Sequence, residues 1–262
     1  MEQNGLLDGV LAAVRETGDW LVERHRAEPT PAADRAAAFA AFTAVDEPAA
    51  GLLRARLTAL RPEAGWLDAE LTGEVPESGE WWVCDATDGA VQYLLGQPQW
   101  AVTATLLRDG EAVLAVVHAP RLGFSYTALR GVGAWLDGRP ITPSARQLTA
   151  AVVATSQPPA VGSDPRALHR AGASLSAVLG GGVIAVRNLG PTALQVAQVG
   201  SGHLDAFWEF GLDAPNLLPG ALIAAEAGAL VTDEHGAPWR ACSTGFLAAG
   251  RVLHPALLDL LN

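Results

Sequence analysis

Apolar positions in the first sixty residues recur at helical spacing. Leu7, Val10, Leu11, Val14 and Leu21 share one face, which predicts an amphipathic helix over residues 5–26. Pro29 and Pro31 sit in a polar stretch and mark a connection over residues 27–34. A second helical region runs from about residue 35 to residue 60, and Pro62 ends it. Pro48 falls inside that region, two residues after Asp46. An aspartate followed by proline in the next turn is a helix start, so the pattern lets a new helix begin at Asp46.

The period then changes. Apolar runs at residues 81–84, 101–107 and 112–118 read as strands, and Arg108-Asp109-Gly110-Glu111 is a hairpin signal between the last two. Residues 124–129 and 134–136 continue the series, with turns at 131–133 and 137–138, so a mostly antiparallel meander is expected. Beyond residue 150 strands and helices alternate. Strands are expected at 152–155, 183–186, 204–207 and 230–232, and helices at 165–179, 192–199, 217–227 and 255–261. The chain divides softly into an α+β half, 1–149, and an α/β half, 150–262, both layered. No internal repeat or low-complexity linker interrupts it.

Composition narrows the function classes. Half of the 262 residues are hydrophobic and 17% are charged, which fits a buried core and not disorder. The net charge is −11 and no basic stripe is visible, so a nucleic-acid partner is not expected. All 17 basic residues are arginine, which excludes Schiff-base chemistry and a Walker-type phosphate lysine. Cys84 and Cys242 are too few for a disulfide scaffold and fit a reducing cytoplasm. The first residues lack the basic region of a signal peptide, and no stretch of 18 uninterrupted apolar residues offers a membrane span. A cytoplasmic protein without membrane contact is expected.

Residues 81–107 hold the most informative chemistry. A strand is expected to end at Asp85, and Asp88 follows before Gly89. Two carboxylates at that spacing can converge on one hard cation, and the Thr87 carbonyl can add a third oxygen. The bland alternative is an aspartate-rich turn. Elsewhere the signals are weaker. The six histidines, 25, 118, 169, 203, 235 and 254, form no zinc-type pair, and Ser156 and Ser201 lack a nucleophile-elbow context. Gly180-Gly181-Gly182 follows a helix, so it reads as a C-cap and turn; a phosphate loop needs strand then helix. Cys84 reads as a buried, inert thiol beside an anionic neighbour. Trp81, Trp82, Trp100 and Trp208 read as core, and aromatic walls near the site would suit a ligand more hydrophobic than a polyol phosphate.

The string Asp85-Ala86-Thr87-Asp88-Gly89-Ala90 resembles the D-P-[IL]-D-G-[TS] signature of the inositol monophosphatase family, the magnesium-dependent, lithium-sensitive phosphatases. Residues 215–229 are similar to its W-D-x-A-A-G-x-x-[IL]-x-x-E-A-G-G signature, and residues 200–210 to its A-x-G-x-x-D-A-[FY]-x-E stretch. The resemblance runs roughly from Val10 to Leu253. It implies a layered αβαβα sandwich, a small-molecule ligand, magnesium as cofactor and a homodimer.

Residue by residue, the resemblance implies that Asp85 bridges two magnesium ions and Asp88 binds one. Asp46 takes the role of the aspartate that orients the attacking water, and Glu209 that of a residue contacting a substrate hydroxyl. The upstream metal glutamate has two candidates, Glu70 beside Ala69 and Glu74. The metal-binding aspartate of the second signature is replaced by Asn216, and the water-orienting hydroxyl by Ala90. A neutral amide holds a hard cation less well than a carboxylate. The expectation is therefore a small phosphate-monoester hydrolase whose magnesium binding is weak or partial. The alternative is a repurposed, metal-independent enzyme doing proton transfer, or a ligand-binding protein. Either site would open between the two halves, where Asp85, Asp88, Glu209 and Asn216 meet.

Overall fold

The computed structural model describes residues 2–67, 75–158 and 161–262. In chain order the elements are α1 (Glu2–Val22), α2 (Arg35–Leu60), β1 (Gly65–Leu67), β2 (Glu80–Asp88), α3 (Ala90–Leu94), β3 (Ala101–Arg108), β4 (Glu111–Ala119), β5 (Phe124–Leu129), β6 (Gly133–Leu136) and β7 (Arg139–Pro140). They continue with β8 (Val152–Thr155), α4 (Pro165–Gly180), β9 (Ala185–Arg187), α5 (Thr192–Gly200), β10 (Ala206–Phe210), α6 (Ala214–Glu226), β11 (Leu230–Thr232), β12 (Gly245–Ala249) and α7 (His254–Leu261). Strands β1 to β7 form one sheet in sequence order, antiparallel throughout except for the parallel β1–β2 pair. The second sheet has the order β11-β12-β10-β8-β9.

Strand periodicity sorts the core into layers. Trp82, Val102, Ala104, Leu106, Leu114 and Val116 point to α1 and α2. The alternate residues Val83, Leu107, Ala115 and Val117 point the other way, onto Ala193, Leu194, Leu222 and Ile223 of α5 and α6. Those two helices bury their opposite flanks, Val196, Val199, Leu217 and Ala224, on Ala154, Phe207, Phe246 and Ala248 of the second sheet. The far face of that sheet packs Val153, Trp208 and Leu247 against Val178 and Leu257 of α4 and α7. The stacking is the expected αβαβα sandwich, with α5 and α6 as its filling.

Several expectations need correction. Helix α2 does not restart at Asp46: it runs through Pro48 from an N-cap at Asp34, whose carboxylate accepts the Ala37 N–H at 2.9 Å. Proline removes one helical hydrogen bond, but Ala49, Leu53 and Leu57 beyond it are seated in the core and hold the second half in line. This is the one described helix long and apolar enough to cross a membrane by length and composition. Strands β1 and β12 were not expected, and β10 lies two residues later than its pattern placed it, at its start, and three at its end. The glycine turn after α4 forms as expected, with Gly181 at the C-cap and Gly182 at φ +86°.

Gly220 lets α5 and α6 meet. A Cβ there would lie 2.5 Å from the Val196 Cβ and 2.8 Å from the Ala193 carbonyl oxygen. Gly220→Val should therefore destabilise by about 1–3 kcal/mol through overpacking. A lowered urea midpoint checks this; an unchanged midpoint contradicts the packing described.

Candidate functional site

The two signature aspartates lie within one strand. Strand β2 continues past Asp85 to Asp88, contrary to the expected end at Asp85. Asp85 stands opposite Thr103 and Asp88 opposite Ala101, so Ala86 and Thr87 together face the single residue between those partners. That bulge decides the chemistry. In a regular strand, side chains three apart point to opposite faces. One extra residue changes the parity and turns both carboxylates toward the same face, the one that meets α5 and α6. Asp85 steadies the bulge by accepting the Thr87 N–H at 2.7 Å. The Thr87 hydroxyl oxygen is buried there with no hydrogen-bond partner.

Asp88 reaches the start of α5 and accepts the Ala193 N–H at 3.1 Å. Helix α5 has Pro191 at its N-cap, with no side-chain cap of its own. Asp88 thus satisfies one of the free N–H groups that open every helix, and the helix dipole favours its charge. Glu209 arrives from the second sheet. On β10, Ala206, Trp208 and Phe210 face α4 and α7, so Glu209 shares the inner face with Phe207. It is 1% exposed, and neither of its carboxylate oxygens has a hydrogen-bond donor.

The sequence reading missed one member of the cluster. Asp213 is the N-cap residue of α6 and 5% exposed. Its Oδ1 accepts the Asn216 Nδ2–H at 2.7 Å, and its Oδ2 is buried without a partner. The available signal was Asp213-Ala214-Pro215, the aspartate-then-proline helix start that was read at Asp46.

Burial and mutual repulsion set the protonation of these groups. Asp88 is raised well above the ordinary carboxylate range, by burial first and then by Asp85 and Asp213, against the backbone N–H groups of Ala193 and Leu194. Glu209 is raised for the same first reason, then by Asp213 and Asp88. Asp213 is pushed up to about 6 by burial, with the Asn216 and Glu209 hydrogen bonds pulling it back. When both Glu209 and Asp213 are ionised, neither has a proton to give; one proton between them makes their hydrogen bond. None of the groups that set these three is an arginine.

The remaining candidates are placed as follows. Asp46 lies within α2, which packs on β2 and α3. Ala90 is the first residue of α3, and Asn216 the third of α6. Glu70 and Glu74 lie outside the described residues. Burial pushes the Cys84 thiol far above its usual range, which leaves it inert as expected. Among the described residues, no group of three or more His, Cys, Asp or Glu side chains forms a ready metal-ligand set. The donor chemistry nonetheless fits a hard divalent cation. The oxygens are those of carboxyls, several are buried without hydrogen-bond donors, and a cation would displace their protons and relieve the repulsion of the ionised groups.

Comparison with known proteins bears on this cluster. The sequence model of the inositol monophosphatase family matches residues 8–262. An inositol-1-monophosphatase of Mesorhizobium japonicum is 32% identical over 183 residues, 69% of this chain and 67% of that protein. The Nus factor SuhB of Pseudomonas aeruginosa is 35% identical over 173 residues, 66% of this chain and 61% of that protein. The crystal structure of extragenic suppressor protein SuhB from Bartonella henselae superposes with a TM-score of 0.82 at 26% identity, covering 98% of this chain and 99% of that one.

The raised Asp213 carboxyl predicts a pH signature in chelated protein. An unfolded aspartate titrates near 3.9 and the folded one at about 6. Between those values the folded state holds the extra proton, so the Asp213 contribution to stability falls as pH rises from about 4 through 6 and then levels. Asp213→Asn should match the wild type near pH 4 and exceed it by roughly 1–3 kcal/mol at pH 7.5, in denaturant melts with chelator. Parallel curves for the two proteins would contradict it.

Proposed function

The chain belongs to the inositol monophosphatase family, and on that premise we propose that it hydrolyses a small phosphate monoester with a magnesium requirement, at a site weaker than the family signature provides. The observation that carries this reading is the convergence of Asp85, Asp88, Glu209 and Asp213 into one acidic cluster, mostly buried, in which no arginine is among the groups that set Asp88, Glu209 and Asp213. The family is generally magnesium-dependent. In this reading Asp85 and Asp88 hold magnesium, with the Thr87 carbonyl and with Glu70 or Glu74 from the segment ahead of β2. When bound, the ion polarises the phosphate ester and makes water a stronger nucleophile. The chain's own work is positioning. Asp46 orients the attacking water and accepts its proton, and Glu209 takes a substrate hydroxyl. The bulge fixes Asp85 and Asp88 on one face.

Two replacements weaken the site. Asn216 offers a neutral oxygen where the family signature has a carboxylate. Ala90 has no hydroxyl to share the orienting of water with Asp46. One observation favours a second reading. Glu209 and Asp213 are a buried carboxyl pair joined by a hydrogen bond when one of them is protonated, the kind of arrangement that moves protons on a small organic ligand without metal. The active form is proposed to be a homodimer, following the family; a monomer in light scattering at micromolar concentration would contradict that.

The experiment follows phosphate release from inositol 1-phosphate and from a panel of small monoesters. Magnesium should be required and chelator should abolish release. Asp85→Asn and Asp88→Asn should each lower kcat/KM by about 100-fold or more, the several kcal/mol that metal-based charge stabilisation supplies. Ala90→Thr should raise kcat at saturating magnesium. Turnover of a ligand that persists in chelator and stops in Glu209→Gln would support proton transfer instead.

A further inference from the structure

Asp213 has an obvious ordinary job, and it does not do it. An N-cap aspartate normally accepts the backbone N–H of the second or third helical residue. In α6 the second residue is Pro215, which has no N–H, and the third is Asn216. The Asp213 side chain makes no cap hydrogen bond at all. Its Oδ1 is held by the side-chain amide of Asn216 at 2.7 Å, and its Oδ2 is buried with nothing to accept from. When Glu209 and Asp213 are both ionised this oxygen has no donor, which costs free energy comparable to a lost charged hydrogen bond; only a proton shared with Glu209 or a bound cation relieves it.

The surroundings say which kind of partner. Asp213 faces Glu209, whose two oxygens are also without donors, and it acts electrostatically on Asp88. No arginine is among the groups that act on it. An anion or a neutral apolar group would worsen the balance, and a hard cation corrects it. Asn216 fits this reading. Residues 213 and 216 are neighbours on one helix face, where two carboxylates would repel. An amide at 216 donates to Asp213 and fixes which way its free oxygen points.

We infer that Asp213, rather than residue 216, supplies the carboxylate that the start of α6 contributes to a divalent-cation site with Asp88, and that Asn216 is the residue that positions it. The inference rests on the magnesium-dependent reading above. It moves the missing charge by one helical turn and does not leave the position neutral.

The test measures Mn2+ binding to the full chain at pH 7.5, by electron paramagnetic resonance of free Mn2+ and by calorimetry, apart from any turnover. Asp213→Asn should weaken binding by about 30-fold or more. Asp213→Ser, which keeps a good N-cap residue, should do the same, so a folding defect in one variant does not decide the matter. Asn216→Ala should lose about tenfold, the usual scale for a residue that orients a ligand. The double exchange Asp213→Asn with Asn216→Asp should recover most of the affinity. Wild-type binding in both Asp213 variants would overturn the inference and leave the proposed function standing. A wild type that binds neither Mn2+ nor Mg2+ would overturn both.

Discussion

Like charges buried together set the terms for the centre of this molecule. Asp88 comes from the first sheet, Glu209 from the second, and Asp213 from a helix between them. Each is at least 95% buried, being 5%, 1% and 5% exposed respectively. In that environment charge is costly and mutual repulsion is poorly screened. The protein has two ways to relieve it, by keeping protons on the carboxyls or by placing a cation among them. The first operates at low pH and the second is what the fold family uses. The surrounding architecture is arranged so that the three groups cannot separate.

That arrangement depends on the middle helical layer. Helices α5 and α6 are apolar on both flanks because each packs against a sheet on either side. Their N-termini are thereby fixed where the sheets present Asp88 and Glu209. Gly220 sets how closely the two helices approach, and so indirectly where Asp213 stands. The bulge in β2 does the corresponding work on the first sheet. Without its extra residue, Asp85 and Asp88 would point to opposite layers.

The long elements were legible in the sequence because each has one dominant period. The amphipathic repeat of α1, the meander β3 to β6 and the strand–helix alternation after residue 150 all formed close to where patterning put them. The failures have local causes. Strand β12, Gly245–Ala249, is buried on both faces, so its Gly-Phe-Leu-Ala-Ala string shows no alternation of apolar and polar positions. Strand β1 is three residues long. Asp46 looked like a helix start because the proline rule is local, whereas the core contacts of Ala49, Leu53 and Leu57 that carry α2 through Pro48 are not. At the site, Asp85 and Asp88 were found through their spacing, but the bulge that aligns them leaves no mark in the residue string. Asp213 is hard to read from the string because the family signature aligns its carboxylate with position 216, and the N-cap one turn earlier has no counterpart in that signature.

The most direct measurement is the melting temperature of chelated protein at pH 7.5 before and after adding magnesium, with sodium chloride of equal ionic strength as the control. A cation that binds only the folded cluster adds stability as RT ln(1 + [L]/Kd), about 2.7 kcal/mol at a hundredfold excess over Kd. Magnesium should therefore raise the melting temperature by several degrees, and the rise should shrink as pH is lowered toward 4 and the carboxyls take up protons. A melting temperature that responds to magnesium no more than to sodium chloride would contradict a cation site at this cluster.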